Sequence, residues 1–179
     1  KGVKGVENPS FLIVTKDLQR LYAVIEVAEY QGISGGGVVG FEISEEGRNL
    51  VSFNNQPTNG DHPCHLSLST SEDALFVANY SGGSVSAYQI LKDGSLSEPS
   101  DFHQHQGSSV NLKRQEGPHA HMVHLTPDGR HLLVNDLGTD QLMVYQINPQ
   151  GKLALLKDRC LTLPAGSGPR HLTFSNSNK

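Results

Sequence analysis

His119-Ala120-His121-Met122-Val123 is one of four related segments in the chain. The other copies are Pro9-Ser10-Phe11-Leu12-Ile13, Pro63-Cys64-His65-Leu66-Ser67 and Pro169-Arg170-His171-Leu172-Thr173. Their third positions, residues 11, 65, 121 and 171, are spaced by 54, 56 and 50 residues. Self-similarity at such a period is the sequence signature of a repeat architecture.

The segments that follow each copy also match. Residues 72–79 align with 128–135, which pairs Asn79 with Asn135, and residues 84–90 align with 141–147. Tight-turn chemistry separates the matching pieces, as in Thr126-Pro127-Asp128-Gly129. Each unit therefore contains about four short apolar segments joined by turns.

This pattern predicts an all-β fold. Segment 142–147 is apolar at both odd and even positions, which indicates a strand covered on both faces. Four antiparallel strands in each unit, with both faces covered, are typical of β-propeller blades, and a β-sandwich is the alternative. We expect residues 1–179 to form one partial propeller domain, with approximate units 9–58, 63–105 and 118–162 and the next unit starting at 169.

The number of units is too small for a closed ring. The sequence contains about three blades plus the first strand of a fourth, whereas propellers typically have about four to eight blades. We therefore expect a fragment that needs the remainder of the propeller chain, or a partner subunit, to close the ring. Alone, it would expose an apolar blade face and unpaired strand edges.

Composition excludes several classes of protein. Fourteen Lys and Arg against 18 Asp and Glu give a net charge of −4, which argues against a nucleic-acid partner. No apolar run approaches the length of a transmembrane helix, so we expect no membrane association. The two cysteines, Cys64 and Cys160, make no disulfide framework, and we expect a reduced, cytoplasmic protein.

Several motifs resemble those of a known family. They are residues 65–69, 78–86, Pro118-His119-Ala120-His121 and Gly166-Ser167-Gly168-Pro169-Arg170-His171. Together they resemble the lactonase family of seven-bladed β-propellers, which contains the bacterial-type 6-phosphogluconolactonases and is related to the carboxy-muconate lactonizing enzymes. The similarity covers the whole chain but only about the N-terminal half of such a protein.

The resemblance implies a sugar-lactone hydrolase, most simply one that acts on 6-phosphogluconolactone, with an axial pocket lined by the innermost strands. His121 and Arg170 match its catalytic residues, and a glutamate would follow beyond Lys179. Histidine can act as acid or base, and arginine can bind a phosphate or stabilise an oxyanion. A polar channel position for His121, or an inter-blade salt bridge for Arg170, is the alternative.

Four further residues are candidate substrate ligands: His119, His65, His171 and Asp136. His119 and His121 lie two apart, so on a regular strand both would point the same way and His124 the other way. His65 and His171 recur in the repeat column with His121, which favours a scaffold or channel-lining role over substrate contact. Asp136 follows Asn135 and would have to reach the pocket from the end of the neighbouring strand.

We expect no cofactor and no metal. Residues 35–40 fit G-x-G-x-x-G, but a strand follows where a dinucleotide site needs a helix. The pairs His62/His65 and His119/His121 do not complete a tetrahedral ligand set. The polar segment 103–115 is expected to be an exposed rim or a lid.

Two other functions remain open at this stage. A non-catalytic propeller could keep the fold as a binding or scaffold module. A lactonizing, cycloisomerase-like enzyme would use the same scaffold for ring formation or isomerisation.

Overall fold

The computed structural model describes residues 3–44 and 49–175. The first sheet and its connections contain β1 (Leu12–Val14), β2 (Arg20–Ile25), β3 (Glu29–Tyr30), β4 (Ile33–Ser34), β5 (Gly37–Ser44) and β6 (Asn49–Pro57). The sheet is antiparallel with strand order β1-β2-β5-β6, and β3 and β4 form a separate small hairpin. The G-x-G-x-x-G segment thus runs into strand β5, as the sequence predicts.

The second and third sheets repeat this meander. The second contains β7 (Pro63–Leu68), β8 (Ala74–Asn79), β9 (Ser84–Gln89) and β10 (Asp101–Gln104). The third contains β11 (Ala120–Leu125), β12 (His131–Asp136), β13 (Gln141–Ile147) and β14 (Leu153–Leu155); after a 3-10 turn at Lys157–Arg159, β15 (Leu161–Thr162) also pairs with β13. The all-β architecture of four-stranded antiparallel blades is confirmed.

The three sheets stack face to face like propeller blades. Every residue of β8 is buried, because the first sheet covers one face of the second sheet and the third sheet covers the other. Leu75 and Val77 pack toward the first sheet, whereas Phe76 and Ala78 pack toward the third. A middle layer covered on both faces distinguishes this arrangement from a two-sheet sandwich.

The outer face of the first sheet is only partly covered by other residues of the chain. The far face of the first sheet carries the apolar residues Ala23, Ile25, Val39 and Phe41, and Val6 of the N-terminal segment packs on it. A 220 Å³ apolar cavity remains open there, lined by Val3, Val6, Pro9, Leu12, Leu21, Ala23, Phe41 and Leu50.

No helix within the described ranges is long and apolar enough to cross a membrane.

A β-bulge recurs at the start of two innermost strands and corrects the repeat alignment. In the second sheet Pro63 pairs with Asn79 and His65 with Ala78, so Cys64 is the extra residue. In the third sheet Ala120 pairs with Asp136 and Met122 with Asn135, so His121 is the extra residue. His121 is therefore equivalent to Cys64, and not to His65 as the letter-by-letter alignment has it.

The same register corrects two more assignments. Met122, and not His121, occupies the position of His65, while Asp136, and not Asn135, occupies the position of Asn79. The bulge also interrupts the side-chain alternation of β11. His121 and His124 both act electrostatically on His65, in the direction that lowers its pKa.

The segment after residue 168, expected to begin a fourth unit, forms no β-ladder with any described residue. It lies beside β11, and the backbone N–H of Leu172 donates a hydrogen bond to the Met122 sulfur, with N and S 3.2 Å apart. The strand that would pair with it is absent from the described ranges. The segment still carries Arg170 and His171 to the innermost strand of the third sheet.

Candidate active site

A cluster of rings lies at one end of the innermost strands. It combines His65 of β7, Tyr80 after β8, His119 and His121 at the start of β11, and His171 of the final segment. The structure thus brings together four of the histidines named by sequence analysis, and adds Tyr80, which sequence analysis did not single out.

His121 is the central residue of this cluster. Its half-buried ring makes edge contacts with the rings of His171 and Tyr80, at centroid distances of 5.1 and 5.6 Å. Burial, the positive charge of Arg170 and the proximity of His171 lower the pKa of His121 to about 4. Its Nδ1 atom is buried and has no hydrogen-bond partner among the described residues. His121 is therefore a neutral imidazole with an unused nitrogen at neutral pH.

Arg170 is exposed and follows a turn that contains two glycines in left-handed conformations, Gly166 and Gly168, with φ of +85° and +53°. Its charge lowers the pKa of His121 and acts in the same direction on the Cys64 thiol. The guanidinium thus lies close enough to both bulge residues to act on them electrostatically. His121 and Arg170, the predicted catalytic pair, lie at the same place in the structure.

His119 stacks on the ring of Tyr80, with centroids 4.8 Å apart. Its Nδ1–H donates a hydrogen bond to the backbone oxygen of Tyr80 at 3.1 Å, and its Nε2 lies 3.3 Å from a carboxylate oxygen of Glu116. Both ring nitrogens are therefore engaged. His119 is less free than His121 to exchange a proton with a ligand.

Arg114 is a cation at the site that sequence analysis missed. Its Nη2 atom donates a hydrogen bond to the Tyr80 hydroxyl at 3.2 Å, and the Tyr80 ring in turn contacts His121. Arg114 is otherwise exposed, as is Arg170. The only signal in the sequence was its place in a basic pair within a loop, which is a common surface pattern.

His65 is buried and stacks on Phe11, the equivalent residue of the first sheet, with ring centroids 4.1 Å apart. Burial and the neighbouring histidines, chiefly His171, lower its pKa to about 4. Its ring centroid is 6.2 Å from that of His171, which is exposed. His65 thus packs as an uncharged ring behind the exposed part of the cluster.

Asp136 lies away from the cluster surface, in a fully buried network. Its Oδ1 atom accepts hydrogen bonds from the backbone N–H groups of His119, Gly138 and Thr139, at 2.9 to 3.1 Å. Its Oδ2 atom accepts one from His105 Nδ1 at 2.6 Å. Both oxygens are occupied, so the side chain fixes the backbone at His119 and does not reach the pocket, contrary to our expectation for this residue.

The segment expected to be an exposed rim is anchored at two points. His105 is buried. Its Nδ1 donates to Asp136, and its Nε2 accepts a hydrogen bond from the Tyr145 hydroxyl at 2.9 Å. Gln115 is buried and donates to the backbone oxygen of Leu137 and to Asp140. Residues 106–108 and 110–114 between the two anchors are exposed, as is Gln104 before them, so the rim prediction holds for these residues.

The face of the innermost strands continues into an open cavity of about 540 Å³. Its lining comes from β1, β7 and β11 and includes Phe11, His65, Met122 and His124. Within the described ranges, no group of three or more His, Cys, Asp and Glu side chains is placed to hold a metal ion. The site offers instead a neutral base, two guanidinium groups, a phenol and a histidine–carboxylate pair.

The family profile described as "Lactonase, 7-bladed beta-propeller" matches residues 1–179. Among curated proteins, the 6-phosphogluconolactonase of Bacillus subtilis (strain 168) is 33% identical over 178 residues, which cover 96% of this chain and 47% of that protein. The chain spans about half the length of the curated relatives it matches.

Solved structures show the same relationship. A crystal structure of a Bacteroides fragilis protein superposes with a TM-score of 0.89 at 38% identity, covering 97% of this chain and 49% of that chain. The periplasmic gluconolactonase of Pseudomonas aeruginosa superposes with a TM-score of 0.87 at 35% identity, covering 96% and 49%. In both cases the match again covers about half of the longer protein.

Proposed function

Because the chain belongs to the seven-bladed β-propeller lactonase family, we propose that the full protein hydrolyses a sugar lactone at the His121–Arg170 cluster. The substrate is most simply 6-phosphogluconolactone, and the product is 6-phosphogluconate. The observation that supports this best is the neutral imidazole of His121 beside the guanidinium of Arg170. The non-catalytic and lactonizing alternatives have no comparable structural observation in their favour.

Lactone opening needs a base, oxyanion stabilisation and a proton for the leaving oxygen. The ring nitrogen of His121 opposite the buried Nδ1, Nε2, accepts a proton from water as the water oxygen attacks the ester carbon. Arg170 offers N–H donors to the negative charge that develops on the carbonyl oxygen. The C–O bond of the ring then breaks, and the proton held by His121 passes to the departing alkoxide, so the sum is lactone plus water to hydroxy acid.

Arg114 and Arg170 can bind different parts of the substrate. Arg114 and the Tyr80 hydroxyl, 3.2 Å apart, can bind the oxygens of a phosphate while Arg170 serves the reacting carbonyl. Arginine suits this task because its planar fork of donors matches a phosphate bidentately. His119, His65 and His171 line the same region and are proposed substrate contacts, with His65 the most buried of the three.

Uncharged gluconolactone is a second candidate substrate. The Pseudomonas aeruginosa protein that superposes on this chain is named a periplasmic gluconolactonase, and that name carries no phosphate. A cytoplasmic location fits the phosphorylated substrate better, because sugar phosphates do not cross membranes freely. In either case, the remainder of the propeller chain or a partner subunit is proposed to close the ring around the pocket.

The test uses the full-length protein at neutral pH, with spontaneous opening of each lactone subtracted. We expect hydrolysis of 6-phosphogluconolactone well above the spontaneous rate, and loss of that excess in His121→Ala. His131→Ala is the matched control, because His131 lies at the opposite end of β12 and contacts Arg159. The absence of any excess rate at saturating substrate would remove the proposal.

A further inference from the structure

One carboxylate outside the ring cluster joins the two loops that carry the arginines. Asp140 ends the β12–β13 turn and is 2% exposed. Its Oδ1 atom accepts hydrogen bonds from Gln115 Nε2 at 2.8 Å and from the Gly168 N–H at 2.7 Å. Its Oδ2 atom accepts them from the Ser109 hydroxyl at 2.5 Å and from the Gly166 N–H at 2.6 Å.

These four donors belong to two separate parts of the chain. Ser109 and Gln115 enclose the exposed part of the loop that presents Arg114. Gly166 and Gly168 form the turn that leads into Arg170. Asp140 is therefore the common acceptor of both loops, although it contacts neither arginine itself.

The chemistry of Asp140 suits a fixed anchor. Burial opposes its charge, but the hydrogen bonds from Ser109, the two glycines and Gln115 outweigh burial and hold its pKa below the ordinary value. The side chain is thus a carboxylate at neutral pH, with both oxygens occupied. A backbone N–H held by a carboxylate makes one of the stronger hydrogen bonds available to a loop.

We propose that Asp140 is a positioning residue that sets the separation of Arg114 and Arg170 and so determines the affinity of the site for an anionic substrate. The proposal rests on the proposed function, because it assigns the two arginines to one bound substrate, Arg114 to its phosphate and Arg170 to its reacting carbonyl. It predicts that disturbing Asp140 weakens phosphate binding through Arg114 and slows ring opening through Arg170.

The decisive variant is Asp140→Asn in the full-length protein. Asparagine tolerates the left-handed backbone of this position, where φ is +55°, so the turn itself is preserved. Its NH2 group, however, replaces one acceptor oxygen, and either orientation leaves a glycine N–H facing a donor. The matched control is Asp128→Asn, since Asp128 also accepts hydrogen bonds within a turn but lies at the opposite end of the third sheet.

Three measurements are compared between the two variants: KM and kcat for 6-phosphogluconolactone and for gluconolactone, the dissociation constant of inorganic phosphate by calorimetry, and amide exchange of segments 105–116 and 164–172. For Asp140→Asn we expect KM for the phosphorylated lactone and the phosphate dissociation constant to rise by about tenfold to a hundredfold, since small displacements of positioning groups have effects of that size. We expect kcat to fall on both lactones, because the turn that leads into Arg170 loses an acceptor, and amide exchange to rise in both segments.

The outcomes separate this proposal from the proposed function. Unchanged amide exchange, or an unchanged KM for the phosphorylated lactone together with an unchanged phosphate dissociation constant, overturns the role of Asp140. If the wild type hydrolyses neither lactone but binds phosphate, and Asp140→Asn weakens that binding, the positioning role stands and the lactonase proposal falls. If the wild type binds no phosphate in calorimetry, the anionic-substrate role of Asp140 is overturned.

Discussion

The Cys64 thiol lies 3.4 Å from the backbone oxygen of His121, and each of the two residues is the bulge residue of its innermost strand. Burial raises the pKa of Cys64 to about 12, so the thiol stays protonated and donates to this oxygen. The bulge of the second sheet is therefore hydrogen-bonded to the bulge of the third sheet through the Cys64 thiol and the His121 backbone oxygen. The site follows from this repeated irregularity, because the bulge re-aims His121 toward Tyr80 and the final segment.

Arg170→Gln is expected to change the pH profile as well as the rate. Hydrolysis needs the neutral imidazole of His121, so activity is present above its pKa and is lost as the pH falls through about 4. The charge of Arg170 disfavours the imidazolium, and its removal should move this acid limb of kcat/KM upward by about one pH unit. Arg159→Gln, which changes a cation near His131, should leave the limb in place. An unshifted limb in Arg170→Gln would show that the two residues are not electrostatically coupled.

Arg114→Gln is expected to alter substrate preference. If Arg114 and Tyr80 bind the phosphate, KM for 6-phosphogluconolactone should rise by about tenfold or more, because a bidentate charge-assisted contact is lost. KM for uncharged gluconolactone should stay within about twofold, since that contact is absent. Lys113→Gln removes the adjacent exposed cation and serves as the control. Equal effects of the two substitutions on KM would show that Arg114 acts only by general electrostatic attraction and not by direct contact with the phosphate.

The blade period could be predicted from the sequence because each turn carries its own chemistry. Thr126 and Asp128 show this directly: the Thr126 hydroxyl donates to the Asp128 carboxylate, and Thr15 does the same with Asp17 in the first sheet. Local contacts of this kind leave a pattern of fixed spacing. Such patterns suffice to find the strands and to count the sheets.

The assignment of His121 could not be predicted to the residue. Matching His121 to His65 is the natural alignment of similar letters, yet a bulge adds one unpaired residue that no periodicity reveals. Likewise, the partners of His105 and Gln115 lie 31 and 25 residues away, at the end of β12 and in the turn that follows it. Polar residues in a loop predict exposure by default, and only the three-dimensional fold shows which of them are buried acceptors and donors.

His65→Phe is expected to flatten the pH dependence of stability. The pKa of His65 is about 4 in the folded protein and about 6.5 when the chain is unfolded, so the unfolded state takes up the proton first. The contribution of His65 is present above pH 6.5 and is lost progressively as the pH falls to 4, by up to about 3 kcal/mol. Phenylalanine already occupies the equivalent position as Phe11, against which His65 stacks.

The measurement is denaturant unfolding of the full-length protein at pH 7 and pH 5. The difference in free energy of unfolding between the two pH values should shrink in His65→Phe. His131→Phe, a substitution of the same kind at the outer end of β12, should leave the difference unchanged. A wild-type slope retained in His65→Phe would mean that folding does not lower the pKa of His65.

The 179-residue chain expressed alone is expected to self-associate. The far face of the first sheet presents Leu12, which is 52% exposed, beside the open apolar cavity that Leu21 and Phe41 also line. A contiguous apolar surface of this kind is normally covered in a folded protein, and here the last blade of a closed ring would cover it. We expect oligomers or aggregates by size-exclusion chromatography with light scattering, and a defined 1:1 species on co-expression with the remaining half.

Leu12→Lys should reduce the self-association of the chain alone, whereas Leu18→Lys, at an exposed residue outside the cavity lining, should not. A monodisperse, cooperatively unfolding 19.4 kDa monomer of the wild-type chain would contradict the need for a closed ring.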